Sequence, residues 1–137
     1  MPATDSFFRF LAQSMRVLEN EAPGRYQSLT MALGGMQAQL TADGSARVVR
    51  FEGSRFVLKN ESGDVDVDVV FTSDTILGLI DGELSLEEAI NNETLWIRGA
   101  VEIVEQFYDA VLVYVDGAIR SPGFLNLLKD FRRQQLR

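Results

Sequence analysis

The stretch Ser73–Gly99 reads SDTILGLIDGELSLEEAINNETLWIRG, and its punctuation is helix, turn, helix, strand. Ser73 stands in the N-cap position of a short helix whose apolar residues are Ile76, Leu77 and Ile80. Gly82 follows where a left-handed residue would close that helix. Ser85 and Glu88 then have capping-box spacing, in which each side chain satisfies an orphan backbone N–H of a new helix. Leu86, Ala89 and Ile90 give this second helix a small apolar face. Thr94 to Arg98 alternates as a strand, and Gly99 ends the unit.

Upstream, the period drops to two. Gln37 to Thr41, Ala46 to Phe51, Arg55 to Lys59 and Val65 to Phe71 read as four strands. The connections Ala42-Asp43-Gly44-Ser45, Glu52-Gly53-Ser54 and Asn60-Glu61-Ser62-Gly63 are short, which implies an antiparallel meander. With Thr94 to Arg98 the sheet reaches five strands. In the fourth, Asp64, Asp66 and Asp68 share one face while Val65, Val67, Val69 and Phe71 share the other, the mark of a sheet wet on one side. Three stacked carboxylates suggest an oxygen-ligand cation such as calcium, but a strand spreads its ligands too widely for them to converge. No metal site is expected.

The order of strand, Leu79-Ile80-Asp81-Gly82-Glu83 turn, Leu84-Ser85-Leu86-Glu87-Glu88-Ala89 helix and Leu95-x-Ile97-x-Gly99 strand resembles the lipid-binding domain of the sterol carrier protein type 2 family. The resemblance extends more weakly from Phe51 to Phe131. It implies an α+β fold, with a five-stranded, mainly antiparallel sheet covered on one face by about five helices. Between sheet and helices it implies an apolar tunnel for a lipid, fatty acyl, sterol-like or isoprenoid, with no catalytic motif to carry over. In bacteria it also implies association with isoprenoid quinone assembly and with modules appended to enzymes.

The helical segments flank this centre. Residues 4 to 22 place Phe7, Phe8, Leu11, Met15, Leu18 and Ala22 on one stripe, with Thr4 or Asp5 as cap. Phe10 and Val17 lie beside the stripe and leave the helix more apolar than one core face requires, so a membrane-touching or dimer-forming surface is weighed against core. Pro23-Gly24 breaks this helix, Arg25 to Ala32 adds a short segment, and Gly34-Gly35 breaks again. Ala100 to Asp116 carries two apolar stripes, Val101, Val104, Tyr108, Val111, Leu112 and Val115, then Ile103, Phe107, Ala110 and Tyr114. Such a helix needs cover on more than one side, by another helix or by a lipid. Gly117 is expected to end it. Ser121 and Pro122 open a last helix with apolar face Phe124, Leu127, Leu128 and Phe131. The resemblance implies that this helix closes over the tunnel mouth, a candidate gate weighed against a plain piece of core.

The expectation is therefore one domain over residues 1–137: helical over 1–34, strands over 35–71, helix-helix-strand over 73–99 and helices over 100–137. Strand alternation and helix stripes put Phe56, Leu58, Val67, Val69, Phe71, Leu77, Ile80, Phe107, Val111, Phe124, Leu128 and Phe131 at the tunnel wall.

Composition narrows the chemistry. The 137 residues include no cysteine and no histidine, which removes thiol and imidazole nucleophiles, imidazole bases and their metal sites. Lys59, Tyr108, Asp109 and Tyr114 form no recognisable constellation, so no catalysis and no cofactor is expected. The net charge of −7 argues against nucleic acid. Residues 60–93 carry acids and no lysine or arginine, whereas from Gly117 onward Arg120, Lys129, Arg132, Arg133 and Arg137 face Asp130 alone. That asymmetry is either a solvated edge plus a dipole-complementing helix end, or a docking face for anionic lipid or an acidic partner. The N-terminus lacks a basic n-region and an uninterrupted apolar run, so a cytoplasmic setting is expected. Two functions are carried forward: a lipid carrier, and a non-catalytic accessory subunit of the same fold whose apolar groove binds another protein, with the surplus apolar surface of the N-terminal helix at the interface.

Overall fold

The computed structural model describes residues 3–60 and 64–135, with side chains from 6 to 60 and from 64 to 134. The helices are α1 (Ala3–Glu21), α2 (Pro23–Leu33), α3 (Ser73–Asp81), α4 (Leu86–Asn91), α5 (Val101–Ile119) and α6 (Pro122–Gln135). The strands are β1 (Ala38–Ala42), β2 (Ser45–Glu52), β3 (Arg55–Lys59), β4 (Val67–Phe71) and β5 (Leu95–Gly99). The result is an α+β fold with one five-stranded sheet in the order β3-β2-β1-β4-β5.

The sheet is mostly antiparallel, but the fourth strand does not continue the meander. β4 leaves β3 and pairs parallel with β1, Ala38 opposite Val67 and Ala42 opposite Phe71. The reason lies in burial. Val67 and Val69 are each 1% exposed, so β4 needs a neighbour on both edges, and the hairpin β1–β2 leaves one edge of β1 free. A parallel pair requires a long crossover, and the β2–β3 hairpin with its continuation supplies it. The Asp66 carboxylate reinforces the join by accepting the Gln37 N–H at 2.8 Å. β5 then pairs antiparallel on the outer edge of β4. The connection at 61–63 lies outside the described residues.

The capping box forms as its spacing predicts: Ser85 Oγ accepts from Glu88 N at 3.1 Å, and Glu88 Oε1 accepts from Ser85 N at 2.9 Å. Gly82 closes α3 at φ 78°. The N-cap of α3, however, is Thr72, whose hydroxyl accepts from Thr75 N. Ser73 is drawn away by the β1–β2 turn: the Asp43 carboxylate accepts its N–H at 2.9 Å and its hydroxyl as well. Thr4 and Asp5, the expected caps of α1, fall outside the described side chains.

α5 also departs from expectation. It runs through Gly117 to Ile119 instead of ending there. Gly117 is a contact point: a Cβ at this position would lie 2.8 Å from Leu18 Cδ2 and 3.3 Å from Arg25 Cβ. The missing side chain lets α5 lie close against α1 and α2, and the joint between α5 and α6 is only Arg120 and Ser121. Ser121 is not spent on capping α6. Its hydroxyl donates to the Gly117 carbonyl at 2.9 Å, and the α6 amide of Gly123 is taken by the Glu21 carboxylate at 2.8 Å.

The buried residues form one apolar cluster, drawn from all six helices and the inner face of the sheet. The surplus apolar surface of α1 is consumed here. Phe7, Phe8, Phe10 and Leu11 are all buried, so α1 does not supply the exposed interface that its sequence suggested. Exposed apolar side chains occur on several other elements, and on α5 three of them, Val101, Leu112 and Ile119, share the face turned away from the core. The basic tail meets the acidic segment within the chain, Arg132 pairing with Asp81 on α3. Both partners are partly exposed, which makes the pair a weak stabiliser.

Candidate functional site

Between the inner face of the sheet and the helices lies a cavity of about 90 Å³. Leu11 and Met15 of α1, Leu29 and Leu33 of α2, Ile76 and Leu79 of α3, and Phe107, Ala110, Val111 and Tyr114 of α5 form its helical wall. Leu40, Val49, Phe56, Phe71 and Leu95 form the sheet side. The architecture follows from the two periods: i, i+4 spacing turns Leu11 and Met15 the same way, and strand alternation turns Phe71 inward with Val67 and Val69.

Among the residues expected at a tunnel wall, Phe56, Phe71, Phe107 and Val111 line this cavity. Val67, Val69, Leu77 and Ile80 are buried in the surrounding core without reaching it. Leu58 sits on edge strand β3, 37% exposed. Phe124, Leu128 and Phe131 of α6 are buried against α1 and α5 rather than over the cavity. Phe10 stacks on Phe131 with centroids 4.7 Å apart, and Phe124 meets Phe10 at 5.6 Å and Tyr114 at 5.8 Å, both edge-on. The cavity residues missed in the sequence come from α1, α2, α3, α5 and the sheet alike. Leu29 and Leu33 recur with Tyr26 at helical spacing, a signal strong enough to have marked them.

Among the described residues, the only polar side chain on the wall is Tyr114, and its hydroxyl is already engaged. Ser14 Oγ donates to the Leu11 carbonyl at 2.6 Å, which uses the one serine proton. The contact between Ser14 Oγ and Tyr114 Oη at 2.8 Å must therefore be donated by the tyrosine. Burial raises the Tyr114 pKa above its ordinary value of 10.0, against a smaller lowering by the Ser14 hydrogen bond. The neutral phenol is thus favoured by folding. Its contribution is fully present below about pH 10 and is lost as pH rises beyond that value toward the higher folded pKa. Urea midpoints of the wild type are expected to fall more steeply above pH 10 than those of Tyr114→Phe. Parallel profiles would show that Tyr114 is not held neutral by the fold.

Among the described residues, no group of three or more aspartates or glutamates gathers to hold a metal. No helix among them is long and apolar enough to cross a membrane. The site offers an apolar space whose one polar wall group among the described residues is satisfied. Such a surface selects by hydrophobic contact and shape, not by hydrogen bonding.

No protein-family model matches the chain, and no curated protein matches it in sequence. Solved structures do match in fold. A ubiquinone synthesis protein, UbiJ-SCP2, superposes with a TM-score of 0.63 at 17% identity, over 87% of this chain and 97% of its own. The sterol carrier protein domain 2 of Helicoverpa armigera gives 0.56 at 17% identity, over 76% of this chain and 87% of its own. The apo form of sterol carrier protein 2 from Yarrowia lipolytica gives 0.53 at 13% identity, over 83% and 94%. The chain has the sterol carrier protein 2 fold, as the Leu79–Gly99 pattern implied.

Proposed function

We propose that the protein binds a single hydrophobic ligand, a lipid with a fatty acyl, sterol-like or isoprenoid body, between its sheet and helices, and carries or presents it without reacting with it. The observation that carries this reading is the cavity: it is lined by apolar side chains from α1, α2, α3, α5 and the sheet, and the one polar wall group is satisfied internally. The sterol carrier protein 2 fold supports it. A ligand of any length must push the walls apart, since about 90 Å³ is less than the ~150 Å³ cavity that holds one benzene. The gain remains adequate. Burying ~300 Å² of apolar ligand surface at ~25 cal/mol per Å² gives ~7 kcal/mol before ordering costs, consistent with micromolar affinity. The reading takes the chain as one lipid-binding domain working in the cytoplasm, without cofactor or catalytic residue.

Native mass spectrometry of the purified protein, followed by organic extraction, tests it. A copurifying fatty acid, phospholipid or isoprenoid near one-to-one is expected. A clean apo mass that stays unliganded when challenged with fatty acids, sterols and quinone precursors would sink the proposal.

A second reading is an accessory subunit that binds another protein or a second copy of itself. The specific observation favouring it is the uncovered stripe on α5, where Val101 is 70% and Ile119 56% exposed. Glu102, Glu105 and Asp109 border that stripe and form no ion pair among the described residues, so a basic partner suits it better than an anionic membrane. The ubiquinone synthesis protein of the same fold is in keeping with an accessory role in quinone metabolism. The two readings are compatible, because the cavity and the stripe occupy opposite sides of one helix.

A further inference from the structure

Beside the apolar cavity lies a second space of about 400 Å³, bounded by Arg16 and Glu19 of α1, Tyr26 of α2 and Arg55 at the start of β3. Met15 and Phe56 line both spaces and so form the partition between them. The wall of this basin is braced. Tyr26 Oη donates to the Ser54 carbonyl at 2.5 Å, and its ring packs edge-on against Phe51, which packs in turn against Phe56. The basin is polar where the cavity is dry, and the two together fall within the ~300–1,000 Å³ of small-molecule sites.

Its charge runs against that of the chain. Arg16 makes no ion pair with a described residue. Arg55 comes only within 4.0 Å of Glu52, whose carboxylate is engaged by Arg50. Glu19 is the one carboxylate in the basin, so two guanidiniums against it leave a local positive excess in a protein of net charge −7.

We propose that this basin holds the anionic head of a single-chain amphiphile, a carboxylate or a phosphate monoester, while its apolar chain passes between Met15 and Phe56 into the cavity. The proposal rests on the lipid-binding reading and narrows it to an acid. A charged head cannot follow its chain inward, because the cavity offers no free polar group to replace its water. The guanidinium fork matches both carboxylate and phosphate oxygens. Met15, unbranched and with three rotatable bonds, is the side chain best able to yield at the partition.

The test compares dodecanoate, dodecyl phosphate and dodecanol, each below its micelle concentration, against the full chain by calorimetry at neutral pH and low salt. At least one acid is expected to bind roughly ten-fold tighter than the alcohol, and the tighter one identifies the head. The double variant Arg16→Gln/Arg55→Gln should bring the acids down to the alcohol and leave the alcohol unchanged. Arg133→Gln, remote and exposed, should leave the preference intact. Equal binding of all three by the wild type, or a preference that survives the double variant or falls equally with Arg133→Gln, overturns the basin while the lipid-binding reading stands. Binding of none of the three overturns the basin as well, and the lipid-binding reading is then decided by the extraction experiment above.

Discussion

Phe124→Ala is expected to lower stability by about 3–5 kcal/mol, the range for deleting a fully enclosed aromatic ring, and to lower Tm by roughly 10–20 °C. Phe124 is 0% exposed and stands in the first turn of α6. Its ring lies edge-on to both Phe10 and Tyr114, so it joins α6 to α1 and α5 at once. The same effect bears on whether α6 is a gate. Lifting α6 would strip Phe124, Leu128 and Phe131 from the core at about 1.5–3 kcal/mol each and would expose Phe7 and Phe10 beneath them. A segment held that firmly opens rarely, and none of its residues lines the cavity. The structure therefore makes α6 a lock on the helical layer, with access to the cavity sought at Met15 and Phe56 instead. Urea unfolding followed by circular dichroism measures the effect; a loss under about 1 kcal/mol would mean that α6 is loosely held and would restore it as a gate.

The division between what the sequence made legible and what it did not has a physical pattern. Elements governed by local chemistry were read well. The Ser85–Glu88 box, the αL closure at Gly82 and the alternation of β1, β2, β3 and β5 depend on neighbours within four residues. What failed depended on distant partners. Local spacing makes Ser73 a cap because the Asp43 carboxylate, on another turn, is invisible to it. Local pattern makes Gly117 a terminator because glycine does end helices, whereas here it permits close approach to Leu18. The parallel seat of β4 against β1 follows from which edge is free, a property of the assembled sheet. The cavity wall was legible only in its smaller part for the same reason: periodicity says which residues face inward, but not which inward residues meet the core and which meet the void.

Ala110→Leu is expected to abolish copurification of lipid, or to weaken its binding at least ten-fold, while leaving the fold intact. Ala110 is 2% exposed and faces the cavity from α5, between Phe107 and Tyr114. Leucine places three more carbons in a space of about 90 Å³. At ~0.8 kcal/mol per buried CH₂ the added contact stabilises by at most ~2 kcal/mol, and adjustment of the wall costs about 1–3 kcal/mol. The two nearly cancel, so unfolding free energy should change by no more than about 1 kcal/mol. Ligand binding has no such compensation. A lipid entering the variant meets a filled core and must displace the leucine as well as part the walls, losing the void that made entry favourable. The contrast with Leu112→Ser on the same helix separates the two readings of function. Leu112 is 47% exposed on the outer face, so its replacement should spare lipid binding and weaken only a protein contact along α5. If Ala110→Leu folds normally and still carries its full complement of lipid, the ligand does not occupy this cavity. The stripe of Val101, Leu112 and Ile119 then becomes the surface through which the protein acts.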